Sequence, residues 1–307
     1  MVLILGFKES LNRRASRSFP VSSPAATALS LIGALCFSGA AVLYRSGMQN
    51  SSISPLAANA LRSLTVLPLL AAIGALTGAS YEKPAQFYIL AFLSMLFIFF
   101  VGDSLLLYGL GVAPISLVYP AAYTYPLFTV LFSKLLLGVN AKPSVLAAAL
   151  LIIGGVTLAY WGGSGKMGGS VARGLAAGLG ASVSWGLGIT LNQPALYYST
   201  PVEFTVVRLV MLLALSLPVA LKELSQKRAV RAGPLVLGGL LGVGAGPLAY
   251  LYAIEMVGVV EPSVISSSTP VLALLLGGLT LKEKPGFRAL LGSLLVAAGI
   301  SILVLGP

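Results

Sequence analysis

Asp103 is the single aspartate of a 307-residue chain, and it lies inside an apolar run. A carboxylate in hydrocarbon needs a cation, a water-filled cavity or a proton to offset its desolvation. Two arginines, Arg62 and Arg208, stand in similarly apolar surroundings. A cation there costs about 2.5–3.5 kcal/mol on insertion scales. Both follow the same pattern, Ser/Thr-Pro-x6-Arg, read from Ser54-Pro55 and from Thr200-Pro201. At 1.5 Å per helical residue, Arg62 and Asp103 fall roughly 10 Å below the same membrane face, so an ion pair between them is expected. Such a pair either joins two helices or faces a cavity and serves a substrate or a proton. Arg208 reads as structural, because the position that matches Asp103 is Pro247 and its nearest acids in sequence are Glu203 and Glu255.

A second group is polar but uncharged. Tyr119, Tyr123 and Pro126 share one face at i, i+4, i+7, and Pro120 and Pro126 each remove a backbone donor. A matching segment carries Ser263, Ser266, Ser267, Ser268, Thr269 and Pro270, with Tyr123 falling on Ser267. Hydrogen bonding between helices, at about 0.6 kcal/mol each, is one explanation. The symmetric placement favours a cavity lined by Tyr119, Tyr123, Ser263 and Ser267. Trp185 and Asn192 add an indole and an amide to this set, with Gln193 beside them. Tyrosines opposite serines suit a ligand with one apolar and one polar part.

Other chemistries are poorly supplied. There is no histidine, so a His-based triad or zinc site is excluded, and the lone Cys36 forms no intrachain disulfide. No catalytic residue, metal ligand or cofactor is assigned. Gly162 to Met167 superficially resembles a phosphate loop, but Met167 stands where Ser or Thr is required. Gly238, Gly242 and Gly246 form a small-residue strip suited to close helix packing.

The elements that must carry these residues are membrane helices. Hydrophobic residues make up 57% of the chain and charged ones 9%, and mean hydropathy is +0.98. A soluble surface needs roughly 25% charged residues. The net charge of +11 sits mainly in tails and loops and fits anionic lipid head groups better than nucleic acid. Apolar runs lie near 25–45, 55–78, 85–110, 114–138, 143–162, 171–193, 201–221, 233–256, 260–281 and 285–306, which gives ten candidate spans. Met1 to Gly6 is too short for a signal peptide, and its basic residues follow it.

The chain also repeats. Shifted by 144 residues, 108–162 fall on 252–306 without a gap, placing Tyr108 on Tyr252, Pro126 on Pro270 and Gly155 on Gly299. Shifted by 146, Ser54-Pro55 and Arg62 fall on Thr200-Pro201 and Arg208. The expected fold is therefore an all-α polytopic membrane protein of ten transmembrane helices in two five-helix repeats. A basic tail (1–23) precedes the first repeat (24–162), and a linker (163–170) leads to the second (171–307). Five is odd, so the repeats are inverted about an axis in the membrane plane, with a site between them. Basic residues number 7 on the N-terminal side and 10 on the other, but those flanking the first span place both termini in the cytoplasm.

The paired Ser/Thr-Pro-x6-Arg openings and the proline-led fourth spans, Pro126-Leu127-Phe128 and Pro270-Val271-Leu272, resemble the EamA family of the drug/metabolite transporter superfamily. The glutamate that usually closes the fourth span in that family is Val139 in the first repeat and Glu283 in the second. The resemblance implies export or exchange of a small metabolite across the cell membrane. With no ATP motif, a secondary transporter with alternating access is expected, acting as a monomer and coupled to a proton or a counter-substrate. Asp103, Glu255 and Glu261 are the candidate proton carriers. No nucleic-acid partner is expected. A channel and a membrane enzyme are the competing classes.

Overall fold

A computed structural model describes residues 23–49, 51–113, 115–160, 169–226, 229–273 and 287–305. Most of the expected tail and linker, Trp161 and Glu283 lie outside these residues. The elements are α1 (Pro24–Gln49), α2 (Pro55–Leu76), α3 (Ala85–Val112), α4 (Ile115–Ala122), α5 (Tyr125–Leu137), α6 (Pro143–Tyr160), α7 (Gly169–Thr190), α8 (Asn192–Ala195), α9 (Pro201–Ser225), α10 (Ala232–Val257), α11 (Val260–Ser266) and α12 (Phe287–Leu305). All regular structure among the described residues is helical. Six helices are long and apolar enough to cross a membrane: α1, α2, α3, α7 with α8, α9 and α10. The chain is a multi-pass helical membrane protein.

The remaining expected spans are shorter or broken, and proline explains the breaks. Pro126 lacks an N–H and its ring collides with the carbonyl four residues back, so the helix stops at Ala122 and turns through Tyr123 and Thr124. Pro270 acts in the same way. Here α11 ends at Ser266, Ser267 and Ser268 form a turn, and helix resumes over 269–273.

The paired Ser/Thr-Pro motifs are helix starts. Ser54 Oγ accepts from Ala57 N at 3.2 Å, and Pro55 fills the first helical position. Thr200 Oγ1 accepts from Glu203 N at 3.3 Å, while the Glu203 carboxylate accepts from Thr200 N at 2.8 Å, completing a capping box. The arginine of each motif is thereby set two turns inside its helix.

Two helices change pitch at matching places. α3 widens to a π-helix over Leu96–Asp103, and α10 does so over Leu240–Ala245, starting 144 residues later (96 against 240). Packing is reciprocal between the halves. α1 lies on α10 as α3 lies on α7, α2 meets α9, and α6 meets α12. The glycine strip lies in one of these contacts. A Cβ on Gly242 would come 2.8 Å from Ala40 Cβ, and one on Gly246 would come 2.8 Å from the Phe37 ring. Gly238 likewise meets the Tyr44 ring.

Candidate functional site

The π segment of α3 organises the site. Three of its successive carbonyls accept side-chain donors from neighbouring helices. Ser184 Oγ donates to Phe97 O at 2.6 Å, Trp185 Nε1 to Ile98 O at 3.2 Å, and Asn59 Nδ2 to Phe99 O at 2.9 Å. The segment ends at Asp103, which is thus held against α2 and α7. Gly102 permits this approach, because a Cβ there would lie 2.7 Å from Trp185 Nε1.

Asp103 is 8% exposed and Arg62 1%. Arg62 Nη2 donates to Asp103 Oδ2 at 2.5 Å and to Asn59 Oδ1 at 2.5 Å. Trp185 Nε1 also reaches Asp103 Oδ1 at 3.0 Å, so both carboxylate oxygens are engaged. The Tyr44 ring covers the Arg62 guanidinium with 4.5 Å from Cζ to the ring centroid. The expected Arg62–Asp103 contact is present.

Beside this pair lies a cavity of about 720 Å³, counting its open mouth. Asp103, Tyr119, Tyr123, Trp185 and Asn192 line it, joined by Tyr44, Phe99, Tyr125, Arg208 and Tyr250. The walls come from both halves of the chain. Tyr119 and Tyr123 stack at 5.0 Å between centroids, and Trp185 stands edge-on to Tyr123 at 5.7 Å and to Tyr125 at 6.0 Å.

Three expected site residues are not among those lining the cavity. Arg62 sits behind Asp103. Ser263 Oγ donates to Val259 O at 2.6 Å and pairs with Tyr250 Oη at 2.6 Å. Ser267 Oγ donates to Val264 O at 2.6 Å. These serines bond back to carbonyls of their own segment that also accept backbone N–H groups, and Tyr250 takes the wall position instead. The interhelical or local bonding that competed with the cavity expectation is what these two hydroxyls do.

Arg208, which the sequence reading takes as structural, is among the residues that line the cavity. Its Nη1 lies 3.3 Å from Ser94 Oγ and 3.4 Å from Asn192 Oδ1, and its Cζ lies 4.1 Å from the Phe204 centroid. Neither suggested acid serves it. Glu203 caps its own helix and takes Lys83 Nζ at 3.0 Å and Ser80 N at 2.7 Å.

The EamA-like transporter family matches this chain twice, over residues 25–161 and over 172–305. The chain belongs to this family. As an EamA-like protein it is a membrane transporter, and Arg62 and Arg208 fall in its two matched stretches. An uncharacterized transporter of Archaeoglobus fulgidus is 32% identical over 288 residues, covering 91% of this chain and 98% of its own length. A solved crystal structure is similar with a TM-score of 0.73 at 21% identity, covering 92% of this chain and 98% of that one. This last likeness concerns the fold alone.

Proposed function

We propose that this EamA-like protein is a secondary transporter that exports or exchanges a small metabolite by alternating access through the central cavity. The observation that carries this reading is the cavity itself, which is walled from both halves by aromatic rings and by the buried charges of Asp103 and Arg208. A cavity shared by two pseudo-symmetric halves can open to either face as one half rocks against the other. The reciprocal packing and the matched π segments support ten spans arranged as two inverted repeats. The driving force is a proton or a counter-substrate, the working unit is a monomer in the cell membrane, and both termini face the cytoplasm. Export, exchange and coupling rest on the family's general behaviour and on the absence of a nucleotide motif.

Alternating access is tested by accessibility. Cys36→Ser removes the only native thiol. A cysteine then placed by Ala40→Cys, in the cavity wall, should react with an impermeant thiol reagent applied from either face of the membrane. Reaction from one face only, whatever solutes are present, would contradict the proposal.

A further inference from the structure

The two halves provide an internal control at one position. Arg62 and Arg208 are related by the 146-residue shift (62 + 146 = 208), and both are buried, at 1% and 2% exposure. Arg62 has its carboxylate, Asp103, at 2.5 Å. The residue matching Asp103 in the second half is Pro247 (103 + 144), which has no acceptor to offer. Arg208 forms no ion pair among the described residues, and its Nε and Nη2 have no hydrogen-bond partner among them. Phe99 and Phe204 flank the guanidinium and supply no oxygen. A buried cation with no anion is unfavourable unless something else brings the charge. Arg208 is among the residues lining the cavity, so a ligand there can bring a negative charge next to its guanidinium.

The charges and geometry narrow the class. Arg62, Asp103 and Arg208 sum to one positive charge at the site. Nε and Nη2 form one edge of the guanidinium fork, which matches two carboxylate oxygens once a side-chain shift uncovers it, since both atoms are covered in this conformation. A phosphate monoester carries about −1.5 to −2 at neutral pH and would leave the site negative. An amino acid would need an acceptor for its ammonium, and the Asp103 oxygens already give one lone pair each to Arg62 and Trp185, which leaves them less basic for a second cation. We propose that the transported solute is a small organic monoanion whose carboxylate binds Arg208 while its apolar body lies on the aromatic walls of the cavity. This rests on the central cavity being the transport site.

The test uses the full chain, purified and reconstituted, with acetate, hexanoate, benzoate and phenylacetate each compared with its neutral amide, and with phenylalanine as the zwitterion. Thermal stabilisation should favour at least one carboxylate over its amide and over phenylalanine. Arg208→Gln should weaken that binding by at least about tenfold. Asn192→Asp is the second variant. It keeps the side-chain shape and places a carboxylate beside Arg208, where Asn192 Oδ1 now lies at 3.4 Å. It should abolish the preference for carboxylates without lowering the melting temperature of the unliganded protein. The inference is overturned if no carboxylate outdoes its amide, or if the preference survives in Asn192→Asp. Flux of neutral compounds with no carboxylate preferred would remove the anion site and leave transport standing. Carboxylate binding without flux of any solute would keep the anion site and remove transport.

Discussion

Trp185 Nε1 lies 3.0 Å from Asp103 Oδ1 while Arg62 Nη2 holds the other oxygen at 2.5 Å, so one carboxylate ties α2, α3 and α7 together. The tie is buried and involves a charge pair. Removing one partner of such a pair leaves the other uncompensated, at a cost of about 3–5 kcal/mol. Asp103→Asn and Arg62→Gln should each lower the melting temperature in detergent, and the double substitution should recover part of the loss. Additive losses in the double mutant would mean that the two residues do not act as a pair.

The seat of Trp185 depends on Gly102. A side chain there would overlap the indole and crowd Phe97 O at 2.8 Å. Gly102→Val should displace the indole from Asp103. The chain has two tryptophans, so fluorescence is read in a Trp161→Phe background. Emission from Trp185 should shift and become more accessible to iodide. Unchanged emission would show that the close approach is not needed.

The α1–α10 contact makes a separable prediction about stability. Gly242→Val should destabilise the protein, because even its Cβ lies 2.8 Å from Ala40 Cβ. Gly154→Ala, where a Cβ meets nothing within 4 Å, should leave the melting temperature nearly unchanged. Equal effects of the two substitutions would argue against tight packing at the strip.

Caps give a further test. Thr200→Ala removes the acceptor for Glu203 N and should cost about 1 kcal/mol. Glu203→Ala should cost more, since it frees Thr200 N, Ser80 N and Lys83 together. A smaller effect for Glu203→Ala, measured by thermal unfolding, would contradict the network.

How much was legible in the sequence varies with the kind of interaction. The helical membrane architecture and the Arg62–Asp103 contact follow from composition, from the repeat and from depth along the helix, which all depend on spacing alone. The breaks before Pro126 and Pro270 follow from missing donors. The two serines are not among the cavity-lining residues because their hydroxyls bond back within their own segment, and spacing does not reveal which acceptor a hydroxyl chooses. Arg208 was not expected at the cavity, although the signal was there. Pro247 in place of an acid was visible, and it leaves Arg208 without the counter-charge that Arg62 has. The π segments have no composition signal of their own, although both start at positions that the 144-residue shift superposes, Leu96 and Leu240.

Counterflow tests the carrier reading most directly. Proteoliposomes are preloaded with the carboxylate that stabilises the protein best, and trace labelled carboxylate is added outside. A carrier with one cavity exposed alternately should accumulate label transiently above its equilibrium level, with saturable initial rates, and Arg208→Gln should suppress this overshoot. Equilibration without overshoot, at a rate that rises linearly with concentration, would indicate a continuous pore and contradict transport by alternating access.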